Sequence, residues 1–292
     1  MQKEIDKAAV LIEALPYIQK FRNEIVVIKF GGSAMEDKEL IKKTMRDIVF
    51  MECVGMKPVV VHGGGKAISA RLKELDIPTN FINGLRYTCE KTIEVVDDVL
   101  HNVVNADLIN AVKDAGGTGK SLSGKKFLKA EKVTTKCLET GKELDLGFVG
   151  NIIDVDTEGI KQALNEDILP VIPPLAIDNE GNTYNINADI AACQIAKALK
   201  ARKLVFLSDV PGILRDQNDE ESVISTITVD EVDDLIKRNI ISGGMAPKIK
   251  SAEDALLAGT NKVHIIDGRI KHSLMLEIFT DRGIGTEIVK KR

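Results

Sequence analysis

The sequence predicts an α/β fold: a three-layer αβα sandwich built around a mainly parallel central sheet. Short, largely apolar runs recur at 25–30, 59–61, 169–172, 204–207 and 263–266, each near a stretch of helical periodicity. Runs of this kind lack the alternation of a half-exposed sheet and read as strands covered on both faces. Two of them end in glycine turns that lead straight into helical segments. Finally, 292 residues with 44% hydrophobic and 29% charged side chains can bury a sizeable core, so disorder is not the expectation.

Taken in order, Ile5, Ala8, Ile12 and Leu15 share one stripe of a helix over residues 3–15, and Pro16 places a break or kink after it. That stripe suits either a packed surface helix or an arm that docks on another subunit. Ile25–Phe30 is the first strand, followed by Gly31-Gly32 and a helix reaching residue 51. Val59–Val61 follows Pro58, closes on His62-Gly63-Gly64-Gly65, and leads into a helix from Lys66 to Leu75. A long helical pattern spans 91–114. Residues 121–155 alternate more and carry many Lys and Thr, which reads as hairpins at one sheet edge. A helix over 189–199 and a strand at 204–207 flank the expected division near residue 200. The expected units are therefore 1–21 (an N-terminal oligomerisation helix), 22–200 and 201–292.

Forty basic against forty-four acidic side chains leave a net charge of −4, which argues against a nucleic-acid coat or a polybasic membrane binder. Aromatic residues are 4% and Trp is absent, against base-stacking platforms and membrane belts. No apolar run reaches the roughly 18 residues that span a bilayer, and no signal or transit peptide is recognisable. Cys53, Cys89, Cys137 and Cys193 form no CxxC, and His62, His101, His264 and His272 have no zinc-ligand spacing. Incidental thiols in a reducing, cytoplasmic setting are expected.

In an open parallel sheet, ligands sit beyond the carboxyl ends of the strands, where helix N-termini offer free N–H groups. Lys29-Phe30-Gly31-Gly32 and His62-Gly63-Gly64-Gly65 occupy such places, and glycines there let backbone amides approach an anion. Asp114-Ala115-Gly116-Gly117-Thr118-Gly119-Lys120-Ser121 imitates a phosphate-binding loop. It follows a helix instead of a strand and lacks the first glycine, so it reads as a helix end and loop. Asn185-Ile186-Asn187-Ala188-Asp189 exceeds what one helix cap requires. Gly84-Leu85-Arg86 puts an arginine fork, suited to a carboxylate, in a loop. Gly243-Gly244-Met245-Ala246-Pro247-Lys248 opens a helix and sets Lys248 at its positive end, unfavourable unless an anion is there.

These elements, with Leu207-Ser208-Asp209-Val210-Pro211-Gly212-Ile213, are similar in kind and order to the amino acid kinase family. The Asn83-Gly84-Leu85-Arg86 and His62-Gly63-Gly64-Gly65 contexts resemble its acetylglutamate kinase branch, over residues 22–292. Lys126 departs from that pattern, where an acidic residue is common, and Tyr87 replaces a smaller apolar one.

The resemblance implies transfer of the γ-phosphoryl of ATP, carried with Mg²⁺, to the side-chain carboxylate of N-acetyl-L-glutamate, the second step of arginine biosynthesis. It implies that Lys29 and Lys248 flank the moving group and that Asp189 holds them. Gly31, Gly32 and Gly64 would supply oxyanion donors. Gly64, Gly65, Arg86 and Asn185, supported by Asn187, would bind acetylglutamate, and Ser208, Asp209 and Gly212 would receive ATP. It further implies a hexamer inhibited by arginine at a site including Tyr17, His272, Glu277 and Gly285. Competing expectations are another carboxylate or carbamate kinase of the family (glutamate 5-kinase, aspartokinase, carbamate kinase) and a non-catalytic arginine sensor.

Overall fold

Strands buried on both faces form the centre of the molecule, and their alternation decides which helices cover which side. The computed structural model describes residues 1–136, 143–280 and 283–291. Helices α1 (Gln2–Glu13) and α2 (Leu15–Phe21) precede β1 (Ile25–Phe30), α3 (Lys38–Cys53), β2 (Lys57–His62) and α4 (Gly65–Glu74). A small hairpin of β3 (Phe81–Ile82) and β4 (Leu85–Arg86) follows, then α5 (Glu90–Asp98), α6 (Ala106–Asp114) and β5 (Gly119–Ser121). Next come β6 (Leu128–Lys136), β7 (Glu143–Val155), α7 (Glu158–Asn165), β8 (Leu169–Ile172), β9 (Leu175–Ile177), β10 (Thr183–Asn185) and α8 (Ala188–Leu199). The last part holds β11 (Lys203–Ser208), β12 (Thr226–Thr228), α9 (Val229–Lys237), α10 (Met245–Leu257), β13 (Lys262–Asp267), α11 (Ser273–Ile278) and β14 (Thr286–Val289).

The main sheet runs β12, β14, β13, β11, β1, β2, β8, β5. β14 is antiparallel to β13, and the other neighbouring pairs are parallel. Val27, Val59, Val61 and Phe206 face one side and pack with Ala192 and Ile195 of α8 and Ile249 of α10. Val26, Ile28, Phe30 and Val60 face the other and pack with Met45 and Ile48 of α3 and Leu108 of α6. The expected three-layer sandwich is thus borne out. Because β1 has β2 on one side and β11 on the other, the strand order reverses around it, and a crevice opens at its carboxyl end.

Pro16 stands in the first turn of α2, where its missing N–H costs nothing, so the chain kinks at Ala14 and resumes as a helix. α6 ends at Asp114 with Gly116 at φ 87° and its N–H on the Lys113 carbonyl at 2.9 Å. The phosphate-loop imitation is therefore a helix end, as its context dictates. Two expectations need correction. The 91–114 helix is interrupted by a π-helical stretch over Val99–Asn105. And β6 and β7 pair as a hairpin, but in a separate small closed sheet with β9 and β10; β5 is the edge of the main sheet. Register shifts at Lys129/Ala130 and Lys132/Thr134, together with Gly147 at φ 73°, bend that hairpin out of the main sheet.

Among the described residues no helix is long and apolar enough to cross a membrane. Cys53 is exposed, Cys89 half-buried and Cys193 buried, all as free thiols; Cys137 lies outside the described residues.

Candidate active site

Lys29 is the penultimate residue of β1 and points to the same face as Val27, toward the N-terminus of α8. There its Nζ lies 3.0 Å from Oδ1 of Asp189. Lys248, in the first turns of α10, reaches Oδ2 of the same carboxylate at 3.6 Å and lies 5.6 Å over the Phe206 ring. Of the two side chains that could cap α8, Asn187 and Asp189, it is Asn187 that does: its Oδ1 accepts the N–H groups of Asp189 and Ile190 at 2.8 and 3.3 Å. Asp189 is thereby released from capping and free to face the lysines. Burial pushes its pKa up, but Lys29 and Lys248 together outweigh burial, and the carboxyl stays below the ordinary aspartate value. Two ammonium groups on one carboxylate leave one positive charge over, in a largely buried place at two helix N-termini. That surplus calls for an anion.

The glycine turns make room for one. A Cβ on Gly31 would stand 2.8 Å from Lys29 Nζ, so the lysine can fold back only over a glycine. Gly63 N–H donates to the Phe30 carbonyl at 2.8 Å, which ties the two turns together. Gly64 and Gly65 open α4, whose first amides have no intrahelical acceptor. Asp209, at the end of β11, brings its carboxylate to 4.0 Å from where a Gly32 Cβ would be, so the turn after β11 meets the turn after β1. Ser208 is buried beside it, and Gly212 packs on Thr286, whose Oγ1 accepts Ile213 N–H at 2.8 Å; neither reaches the cavity described next.

A cavity of about 470 Å³ runs from Lys29 and Gly32 past Gly64 and Gly65 to Arg86, and a side chamber of about 180 Å³ adds Asn185 and Asn187. Arg86 is held by a two-residue turn in which Asn83 and Gly84 both have positive φ (51° and 80°), the geometry that lets β3 and β4 pair tightly. Its Nη2 donates to the Gly65 carbonyl at 2.9 Å and to Ser69 Oγ at 2.8 Å, and Phe81 supports the guanidinium face at 4.7 Å. Nη1 is buried with no partner among the described residues, and burial lowers the guanidinium's pKa. An unpaired donor of this sort marks a place for an acceptor. Asn185 bonds Thr88 at 3.4 Å, and Thr88 bonds the Arg86 carbonyl at 2.8 Å. Glu36 and Lys66, which the sequence reading passed over, form an ion pair that lines the same cavity.

A second cavity of about 430 Å³ lies apart from the first and is lined by Tyr17, Lys203, His264, Glu277 and Gly285. Three of the four expected arginine-site residues meet there. His272 does not: its Nδ1 pairs with Asp47 Oδ1 of α3 at 2.7 Å, outside that lining. Glu277 is no surface charge. It is buried, with Lys203 Nζ at 3.0 Å and His264 Nδ1 at 2.6 Å. Burial pushes Glu277 up, but the hydrogen bond from His264 and the Lys203 charge outweigh it and bring the carboxyl down to about 2. Lys203 and His264 sit at the first and third positions of apolar strands. The imidazole inside the 263–266 run was a signal for His264; Lys203, at the start of its strand, gave none.

Over residues 24–267 the sequence matches the amino acid kinase family. The acetylglutamate kinase of Carboxydothermus hydrogenoformans is 50% identical over 290 residues, covering 98% of this chain and 99% of that one. The N-acetylglutamate synthase of Neisseria gonorrhoeae, solved with coenzyme A and N-acetyl-glutamate, aligns with a TM-score of 0.84 at 27% identity over 98% of this chain. This chain spans 64% of the synthase's length. The carbamate kinase of Giardia lamblia, bound to AMP-PNP, shares the fold, with a TM-score of 0.67 at 16% identity over 92% of this chain and 99% of that one. The chain belongs to the amino acid kinase family.

Proposed function

We propose that this protein transfers the γ-phosphoryl of ATP, bound with Mg²⁺, to the side-chain carboxylate of N-acetyl-L-glutamate, in arginine biosynthesis. The observation that carries this reading is the Lys29–Asp189–Lys248 bridge beside the glycine turns, with an unpaired Arg86 donor in the cavity that Lys29 also lines. The acceptor carboxylate is ionised at neutral pH, so the reaction needs no general base. What opposes it is repulsion between two anions and the charge spread over the transferring oxygens. Lys29 and Lys248 approach that charge from separate elements, Asp189 keeps their amines in register, and the Gly31, Gly32 and Gly64 amides donate to the oxygens. Arg86 takes the α-carboxylate, with Gly64, Gly65 and Asn185 around the rest of the molecule. Ser208, Asp209 and Gly212 lie on the side from which ATP enters, so 22–200 serves the acceptor and 201–292 the nucleotide.

The second cavity supports feedback inhibition by arginine. Its wall carries the Glu277 carboxylate, and Tyr17 brings the N-terminal segment to its edge. α1 buries none of its residues within one chain, which supports an arm joining dimers into a hexamer. The deciding assay is hydroxamate trapping of the acyl phosphate with ATP and acetylglutamate, run beside glutamate, aspartate and carbamate. Product with acetylglutamate far above the others is expected. A preference for another acceptor, or none at all, overturns the assignment.

A further inference from the structure

The strand feeding the second glycine turn ends in a histidine sealed from solvent. His62 is 0% exposed; its Nδ1 lies 2.8 Å from the Gly63 carbonyl oxygen and its Nε2 3.0 Å from Asn105 Nδ2. Asn105 Nδ2 also lies 3.0 Å from the Val171 carbonyl of β8. A carbonyl can only accept, so the nitrogen of the Asn105 amide faces both groups, and its second hydrogen goes to His62 Nε2. Nε2 is then an acceptor. The ring proton sits on Nδ1 and is donated to the Gly63 carbonyl.

In the trans peptide between Gly63 and Gly64, the carbonyl and the N–H lie in one plane and point in opposite directions. Holding the Gly63 oxygen from behind therefore fixes the direction of the Gly64 N–H. The Gly63 N–H is itself held by Phe30, so the turn is gripped at both ends. Asn105 owes its place to the π-helical stretch over Val99–Asn105, which also sets Leu100 Cδ2 2.5 Å from where a Gly64 Cβ would stand. Such a stretch gives up regular helix geometry and is found where a helix must serve a site.

We propose that His62 and Asn105 are positioning residues for phosphoryl transfer: a buried relay from the Val171 carbonyl through Asn105 and His62 to the Gly63 carbonyl that aims the Gly64 amide at the transferring group. The inference rests on the phosphotransfer reading above. Burial brings the imidazole down to about 4 despite its bond to Gly63, so the ring stays neutral where the enzyme works.

Two measurements test it. The first is a long-range ¹H–¹⁵N spectrum of the full chain labelled in its four histidines. The signal that His62→Asn removes should show the neutral Nδ1–H tautomer, which is the minor form of free histidine, from about pH 6 to pH 8. A neutral Nε2–H ring or an imidazolium overturns the proposal. The second compares His62→Asn with His62→Gln. The asparagine amide puts a donor near the lost Nδ1 and can still hold Gly63. Glutamine fills more of the ring's volume and can meet Asn105 but cannot reach Gly63. A positioning role predicts kcat within about tenfold of the parent for His62→Asn and about 10²-fold lower for His62→Gln, with KM for both substrates little changed. The reverse order, which volume alone would dictate, overturns it. If His62→Asn fails to fold, the His62 signal is the one that remains when His101, His264 and His272 are each replaced in turn, and the parent's tautomer still decides. Absence of acetylglutamate phosphorylation in the parent would sink the substrate reading and leave the tautomer result standing, so the two failures are distinct.

Discussion

At the scale of single residues, a carboxylate shared by two ammonium groups is one charge short, and that deficit fixes what Lys29, Asp189 and Lys248 can do. Replacing Lys29 or Lys248 by Ala removes one positive donor from the transfer path and should lower kcat by about 10²-fold or more, on the scale of losing one oxyanion donor. Near-parental turnover in both variants would remove the pair from the chemistry. Arg86→Lys keeps a charge but loses the fork, so KM for acetylglutamate should rise about tenfold, the equivalent of one charge-assisted hydrogen bond, while kcat changes less. An unchanged KM takes Arg86 out of the pocket. His62 gives a pH signature of a different kind. Its folded pKa of about 4 lies below the ordinary histidine value of 6.5, so the unfolded chain binds more protons between the two. Its contribution is whole above pH 6.5 and is lost as pH falls toward 4, by about 3 kcal/mol. Urea unfolding of the parent and of His62→Asn should therefore converge as pH falls through that window; parallel curves contradict the buried, neutral ring.

At the scale of elements, the glycine turns separate space from strain. At Gly31 the only tight contact is the far end of Lys29, with Gly63 N at an ordinary 3.6 Å, and φ is not positive, so Gly31→Ala should leave the melting temperature nearly unchanged and still depress kcat by displacing the amine. Gly64 meets Leu100, a buried side chain held by the π-helical stretch, so Gly64→Ala should cost about 1–3 kcal/mol as overpacking besides lowering kcat. Calorimetry with steady-state kinetics checks both, and equal stability losses would refute the contrast. The turns themselves were legible in the sequence, because glycine after an apolar run, before a helix, has a restricted meaning. The cap was legible only as a choice between Asn187 and Asp189, since either side chain can accept the first amides of α8. The π-helical stretch was not legible: the apolar spacing over 91–114 suits an uninterrupted helix, and the packing of Leu100 and Val104 against Gly64 joins segments that periodicity does not relate.

At the scale of the whole molecule, the parallel sheet could be read from its apolar runs, whereas the closed sheet of β6, β7, β9 and β10 could not. Its strands carry bulges and many polar residues, so periodicity announces a hairpin and says nothing of where it packs. The second cavity was half legible. Tyr17, Glu277 and Gly285 lie far apart in sequence, and what unites them is the arrival of α2 against β11 and α11. Phe21, the last residue of α2, is 3% exposed and lies 5.2 Å beneath Lys203 Nζ, while Tyr17 packs edge-on to Phe279 at 6.4 Å. Deleting residues 1–20 therefore spares Phe21 and the Lys203–Glu277 pair but removes Tyr17 and all of α1. Ile5, Val10, Leu11 and Ile12 of that helix are 52–68% exposed in a single chain, an apolar surface that suits burial against another subunit. The truncated protein should keep kcat near that of the full chain, because no residue lining the cavity between Lys29 and Arg86 comes from the deleted segment. It should run as a smaller oligomer by light scattering and lose inhibition by arginine together with its size. A truncated protein that stays hexameric and fully inhibited would show that the arm neither joins subunits nor completes the arginine cavity.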